Sequence, residues 1–116
     1  MAWKQMLVTP ALDGGEKGFG FELTLTMAAA GISDFVLIPD DVQGISVTVE
    51  AAGGATATVY STVDYISTIK AAGTITWIPW AAGAVTTATA GVFYPVTAIK
   101  YVQTGAGSSK MAIRAQ

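Results

Sequence analysis

The sequence predicts an all-β fold, an antiparallel β-sandwich or jelly roll of about eight short strands. In several segments, apolar residues occur at every second position, which is the period of a half-buried strand. Clusters of Gly, Pro, Asp and Ala separate these segments, and no long segment has the period of a helix. The 116 residues suffice for one hydrophobic core but not for two. We therefore expect a single β domain.

Alternating apolar and polar residues, bounded by turn residues, predict the strands in the first half of the chain. Residues 19–27 alternate five apolar residues with Gly, Glu and Thr, and give the clearest strand. Residues 34–38 are β-branched and aromatic and end at a Pro-Asp-Asp turn. Residues 45–50 and 56–60 alternate again. The Ala-Ala-Gly-Gly sequence between these last two segments predicts a hairpin.

The second half of the chain repeats this pattern with shorter turns. Further strands are predicted at 74–78, 84–89, 96–103 and 110–115. Residues 62–70 differ, because their apolar residues recur at every third position. This segment predicts a short helical turn that connects two strands.

The first 18 residues are distinct from the rest. They begin with an apolar stretch and continue into a flexible segment rich in Gly, Glu and Lys. We predict two parts, an N-terminal arm or edge strand at 1–18 and a single β-sandwich domain at 19–116. As an arm, the first segment would dock on a neighbouring subunit and carry Trp3 with it.

Composition excludes several classes of chemistry. The chain has no Cys and no His, so thiolate nucleophiles, disulfides, Cys-type metal sites and His-based triads are absent. Its aspartates lack the spacing of a calcium-binding loop, and its glycine-rich segment lacks the Lys-Ser/Thr ending of a phosphate-binding loop. Enzymes built on paired carboxylates or on a lysine base remain open, but nothing in the sequence places two acids together on neighbouring strands. We therefore expect a non-enzymatic protein without a cofactor or a metal.

Charge and hydropathy also limit the partners. Only 12% of the residues are charged, the net charge is −2, and the six cations are scattered, so we expect no nucleic-acid partner. Residues 71–99 contain no charge and are long enough to span a bilayer. Pro79 and Pro95 would break such a helix, and threonines alternate with its apolar residues. We therefore expect no membrane partner.

The distribution of charge along the chain leaves two interpretations open. All eight acidic residues lie between Asp13 and Asp64, so the net charge is −6 over the first 64 residues and +4 over the last 52. A sandwich that interleaves early and late strands would cancel this difference in space. If the difference persists, the molecule has an acidic and a basic side, which favours ordered contacts with copies of itself.

Threonine and aromatic residues supply the surface candidates. Thr-x-Thr pairs such as Thr24 and Thr26 indicate the solvent side of a strand. Trp77 alternates within its predicted strand and is expected in the core. Trp80 and Tyr94 lie beside prolines near strand ends, where we expect them to be partly exposed and to contact a partner or a sugar ring. The predicted partner interface comprises Trp3, Met6, Leu7, Val8, Trp80 and Tyr94.

A family resemblance rests on the pattern of strands in residues 45–116. The sequence of residues 56–60, that of 73–80 (GTITWIPW), that of 95–100 (PVTAIK) and the closing segment 104–116 resemble the small β-sandwich structural proteins of tailed-bacteriophage virions. Within this group the chain is most similar to capsid decoration, or cement, proteins. No invariant motif carries the resemblance.

The resemblance implies a function, a partner and a location. Decoration proteins are non-enzymatic, bind the lattice of the major capsid protein on the outer capsid surface of the virion, associate as dimers or trimers, and stabilise the shell. A neck, tail or fibre component would have the same pattern of strands. A carbohydrate-binding β-sandwich module that stacks sugars on Trp80 and Tyr94 is the alternative from another class.

Overall fold

The computed structural model describes residues 3–10, 19–40, 42–71 and 73–116. Two β-sheets pack face to face around a hydrophobic core, which confirms the predicted all-β sandwich. In chain order the elements are β1 (Trp3–Gln5), β2 (Leu7–Pro10), β3 (Phe19–Met27), β4 (Gly31–Ile32), β5 (Phe35–Leu37), β6 (Ile45–Ala52), β7 (Thr56–Thr62), α1 (Ile66–Lys70), β8 (Ile78–Pro79), β9 (Thr89–Phe93), β10 (Ala98–Thr104) and β11 (Ser108–Ala115).

The strands divide between two sheets of similar size. Sheet A has the order β1-β5-β10-β7-β8, with the short β4 pairing with β10 next to β5. Sheet B has the order β2-β3-β11-β6-β9. All named pairs are antiparallel except β1 and β5, which are parallel with Trp3 opposite Phe35. The prediction of antiparallel pairing therefore holds for all but one pair.

The N-terminal segment contributes an edge strand to each sheet. Strand β1 lies at one end of sheet A, and β2, which follows after the single residue Met6, lies at the same end of sheet B. Of the two alternatives predicted for this segment, residues 3–10 adopt the edge strand. The glycine-rich segment at 11–18 lies outside the described residues.

The predicted hairpin at residues 51–54 is wrong. Strand β6 ends at Ala52 in sheet B, and β7 begins at Thr56 in sheet A, so the chain crosses between the sheets at this turn. The turn between β10 and β11 crosses in the same way and packs against the first turn. Gly107 has a φ of 110°, and a Cβ atom there would collide with the carbonyl oxygen of Ala52. Local composition identified both turns but not the sheet that each strand would join.

The core lies between the inner faces of the two sheets. Every second residue of the long strands is buried there, as the alternation predicted. Full burial of such a side chain stabilises the fold by roughly 1.5–3 kcal/mol. The largest fully buried apolar side chains of this layer are Val36, Ile45, Val47, Val49, Val59, Ile99, Tyr101, Met111 and Ile113.

A second, smaller cluster covers the outer face of sheet A. Phe35, Leu37 and Ala98 point away from the sandwich core and pack with Ile69 of α1. The predicted helical turn is confirmed by α1. Residues 74–77, however, are not a strand but part of this cover, and the predicted strand at 84–89 is reduced to one bridge at Val85 before β9 begins.

A buried polar network fixes the end of the sandwich where the turns cross. The Ser109 hydroxyl donates to Gln103 Oε1 and lies 3.1 Å from the Tyr101 hydroxyl. Gln103 Nε2 donates to the carbonyl oxygen of Gly107 at 3.0 Å. Burial raises the pKa of Tyr101, partly offset by the hydrogen bond with Ser109. Because every buried polar side chain of this network has a partner, it ties β10 of sheet A to β11 of sheet B across the turn.

Folding brings late cations beside early acids. Lys110 Nζ lies 3.2 Å from Glu50 Oε1, and Arg114 lies opposite Glu22 on the neighbouring strand. This pairing results from the position of the last strand, β11, between the early strands β3 and β6. Of the two interpretations of the charge distribution, the described residues support interleaving on this sheet and not an acidic side opposite a basic one.

Candidate functional site

The predicted interface residues do not form one patch. Trp3, Met6, Leu7 and Val8 lie at the β1/β2 end of the sandwich, whereas Trp80 and Tyr94 lie at the β8/β9 end. Three strands separate the two ends in each sheet. A single partner contact that uses all six side chains is therefore not supported by this fold.

At the β1/β2 end, two predicted residues are exposed and one is not. Trp3 is 37% exposed, and Lys70 Nζ lies 4.6 Å from the centre of its ring. Leu7 is 64% exposed on the outer face of sheet B. Met6 is buried between the sheets, so its prediction as a partner contact is wrong: the chain passes from one sheet to the other at this residue. The backbone of Val8 pairs with Phe21, and its side chain lies outside the described residues.

At the β8/β9 end, Trp80 is buried and not partly exposed as predicted. Its indole ring covers Gly91, where a Cβ would approach the ring to 2.9 Å, and it stacks on Phe93 with a centroid distance of 6.4 Å and an interplanar angle of 9°. Its Nε1 donates to the carbonyl oxygen of Gly83 at 2.7 Å. The ring therefore closes the seam between the sheets and offers no open face to a sugar.

Tyr94 behaves differently, since it is 89% exposed. It lies beside a groove that runs along β9 and is lined by Pro79, Trp80, Ala81 and Ala90, among others. Val92 of β9 and Ile78 of β8 are also exposed near this groove. These exposed side chains are themselves uncharged, although Arg114 lines a second groove together with Val92.

Trp77 lies outside the sandwich core in which it was expected. Its ring packs on Phe35 with a centroid distance of 4.9 Å, on the outer face of sheet A. Lys100 Nζ lies 4.6 Å from the centre of the Trp77 ring and 5.6 Å from that of Tyr60. Partial burial lowers the pKa of Lys100. This lysine is a cation held among aromatic rings beneath the cover of sheet A.

The outer face of sheet B is the broadest exposed surface of regular structure. We call it the B face, and define it by three rows of side chains that cross the strands. The first row is Leu7, Glu22, Arg114, Ser46 and Val92, the second is Thr24, Ala112, Thr48 and Ala90, and the third is Thr26, Lys110 and Glu50.

The B face combines short side chains with one ion pair and a second pair of facing opposite charges. Its middle row contains only Thr and Ala, and all four side chains are exposed or half-exposed. Each outer row places one acid beside one base, and the Lys110–Glu50 pair is 3.2 Å apart. A partner that covers this face would bury little side-chain entropy in the middle row and would meet Lys110 and Glu50 already paired. The Thr-x-Thr pairs indicated these positions in the sequence as solvent-facing, but not as a shared surface.

The described residues contain neither a metal-binding cluster nor a membrane-spanning helix. In residues 3–10, 19–40, 42–71 and 73–116, no three acidic side chains come together in a way that would hold a metal ion. No helix in this part of the chain is long and apolar enough to cross a bilayer.

Comparisons in sequence give no family. No protein-family description matches the chain, and no curated protein matches it in sequence.

Comparisons in structure find distant likeness only. Peruvianin-I, a cysteine peptidase from Thevetia peruviana latex, is 11% identical to this chain with a TM-score of 0.43. The match covers 83% of this chain and 49% of the peptidase, so this chain spans about half the length of the peptidase. A protein of Bacillus endospore appendages, described as disulfide-linked pili, is 14% identical with a TM-score of 0.43 over 100% and 94% of the two chains. PliG, a periplasmic inhibitor of g-type lysozyme from Aeromonas hydrophila, is 16% identical with a TM-score of 0.32 over 99% and 100%. None of these similarities carries a functional argument.

Proposed function

We propose that this chain is a non-enzymatic structural protein of a virion, a capsid decoration protein that binds the lattice of the major capsid protein through its B face. The observation that carries the proposal is the contrast between the covered outer face of sheet A and the exposed outer face of sheet B. The resemblance of residues 45–116 to decoration proteins supports the same assignment.

The B face has the physical properties that lattice binding requires. Five adjacent strands, spaced about 4.8 Å apart, make a broad and gently twisted surface. Thr and Ala lose little rotamer freedom when covered, and the Lys110–Glu50 ion pair keeps both of its charges partnered within an interface. An interface of about 1,200–2,000 Å² that bridges adjacent capsid subunits would stabilise only the assembled shell, because it does not exist in the separate subunits.

The carbohydrate-binding alternative is weakened by Trp80. Stacking of a sugar requires an accessible aromatic face, and the indole of Trp80 is occupied by Gly91 and Phe93. Tyr94 alone remains open on this side. A neck, tail or fibre location uses the same kind of surface and is distinguished by where the protein lies in the particle.

The test is binding to shells that lack the protein. Empty shells assembled from the major capsid protein of the encoding virus are mixed with the purified chain, and co-sedimentation and the shell disruption temperature are measured. We expect binding at micromolar concentration, a higher disruption temperature, and density on the outer shell in electron micrographs. Absence of binding at roughly 100 µM would contradict the proposal.

A matched pair of substitutions tests whether the B face is the surface that binds the shell. Thr48→Arg places a long cation in the middle row of the B face, where we expect at least a tenfold loss of affinity for the shell. Thr74→Arg changes the same residue type at an exposed position in the cover of sheet A, where we expect no loss. Equal losses in both variants would remove the B face from the proposal.

A further inference from the structure

We propose that the free edge of β9 pairs with the β9 edge of a second copy of this chain, antiparallel and across a two-fold axis, so that two B sheets join into one continuous sheet. This inference names the self-association surface of the proposed decoration protein and rests on that proposal only for its biological role.

The outermost strands of the two sheets are β1 and β8 in sheet A and β2 and β9 in sheet B. An open edge presents unpaired N–H and C=O groups, and proteins normally protect it with charge, proline or a very short strand. Strand β1 has Lys4, which pairs with Asp34 at 3.8 Å. Strand β2 ends in Pro10, and β8 has two residues, one of them Pro79. Each of these three edges carries a protective device.

Strand β9 carries none of these devices. Its five residues, Thr89–Phe93, contain no charge and no proline, and they pair with β6 on one side only. Val92, at 83% exposed, and Tyr94, at 89%, are two of the most exposed large apolar side chains among the described residues. A neutral edge of this kind, although only five residues long, is a template for another strand.

The absence of charge along this segment favours β9 of a second copy as the strand that pairs with the free edge. The 29 residues from Ala71 to Ile99, which include β8, β9 and the turns beside them, contain no charged side chain. Along this strand two copies therefore approach without like-charge repulsion, although each has a net charge of −2 and Arg114 lines a groove together with Val92 on the B face. A two-fold axis between the two copies, level with the middle of β9, lets the free N–H and C=O groups of both edges pair at once, because antiparallel pairing is self-complementary.

The groove beside β9 extends the contact beyond backbone hydrogen bonds. Its lining of Pro79, Trp80, Ala81 and Ala90 is apolar, and Tyr94 stands beside it. In the paired arrangement, Tyr94 of each copy lies near the edge of the other and adds apolar burial to the short strand contact. The joined sheet also places two B faces side by side, which doubles the surface available to a lattice and strengthens its binding by multivalency.

The experiment is a charge exchange at Val92. In antiparallel pairing about the middle of β9, the two Val92 side chains are opposite or diagonal neighbours, within about 8 Å. Val92→Lys therefore places two cations together and should weaken dimerisation at least tenfold in sedimentation velocity. Val92→Glu should do the same alone, and a mixture of the two variants should recover the dimer. Val63→Lys, at a valine that is 74% exposed between β7 and α1, is the matched control and should dimerise normally.

A second measurement locates the contact without a substitution. Amide hydrogen exchange at residues 89–93 should slow as protein concentration rises, because outward N–H groups of β9 become paired only in the dimer. Amides at the β1 and β2 edges should show no such concentration dependence.

The outcomes separate this inference from the proposed function. A wild-type protein that stays monomeric at roughly 100 µM, or a dimer that Val92→Lys leaves intact, overturns it. A monomer whose Val92→Lys variant loses shell binding would show that the shell protein occupies the β9 edge, which also overturns it. A charge-rescued dimer that fails to bind shells supports this inference and contradicts only the proposed function.

Discussion

The outer faces of the two sheets have different surroundings although both arise from alternating strands. On sheet A the outward residues include Phe35, Leu37 and Ala98, and the chain returns over them with α1 and Trp77. On sheet B the outward residues are mostly Thr, Ala, Ser and neighbouring opposite charges, with Leu7 and Val92 on the two edge strands, and they stay exposed or half-exposed. The difference shows that the chain covers an apolar outward row, whereas a row of short and charged side chains stays exposed.

The largest expected effect breaks the cover of sheet A. Ile69→Ala removes a side chain that is 1% exposed in the small outer cluster, so we expect unfolding free energy to fall by about 3 kcal/mol. Ser46→Ala, in the first row of the B face, should change it by less than about 0.5 kcal/mol. Urea unfolding of both variants measures the difference. Equal effects would mean that the two faces are not energetically distinct.

A smaller effect is expected when the edge of the cover is removed. Trp77→Ala deletes a half-buried ring that contacts Phe35 and Lys100, and should cost about 2 kcal/mol in urea unfolding. Water then reaches the Lys100 ammonium, so its lowered pKa should rise towards the ordinary value, as followed by NMR titration of the side chain. A pKa that does not move would show that Trp77 is not what dehydrates this lysine.

On the B face we expect a still smaller effect on stability. Lys110→Glu replaces an exposed ion pair by two neighbouring acids and should cost less than about 1 kcal/mol. Its effect on shell binding should be larger, since a covered face would then hold unpaired charge. Adding Glu50→Lys reverses the pair and should restore binding. If the double variant still fails to bind, the order of the charges matters in addition to their pairing.

The smallest expected effect is the contribution of Lys100 to folding stability at alkaline pH. Lys100 has a folded-state pKa below its ordinary value of 10.5, so between these two values the unfolded chain holds a proton that the folded chain has released. The contribution of Lys100 to folding stability therefore rises with pH in this window. Tyr101 acts in the opposite direction because its pKa is raised. Lys100→Met retains Tyr101, so the difference between wild type and variant should isolate the rising slope. A difference that falls with pH would contradict the assignment.

Local patterns in the sequence predicted much of the fold. Strand β3 was predicted with its observed limits, because alternation from Phe19 to Met27 is unbroken and a half-buried strand needs nothing else to be recognised. Helix α1 followed from a change of period to three. The Ala-Ala-Gly-Gly turn was also located. Its strands were assigned to one sheet because a turn sequence does not state whether the next strand pairs beside the last or crosses the core.

Trp77 and Trp80 show that burial of a side chain was not predictable from the local sequence alone. Trp77 was expected in the core and Trp80 at the surface, and the structure buries Trp80 more deeply than Trp77. Trp80 turns inward because Gly91, eleven residues later, leaves room for its ring against β9. A glycine inside a strand was the available signal, since it often marks a close approach. The B face was equally hidden, because its rows cross five strands that only the tertiary fold brings together.

The central position of β11 has a consequence for biosynthesis. Sheet B consists of two paired units, β2 with β3 and β6 with β9, which only β11 connects. The ribosome makes β11 last among the described strands, and almost the whole chain separates its residue Ala115 from the partner Phe21 in β3. The nascent polypeptide therefore holds an incomplete sheet until residues 108–115 emerge. Completion of this sheet therefore waits for β11, and we expect pairing across so long a stretch of chain to be slow for the size of the fold.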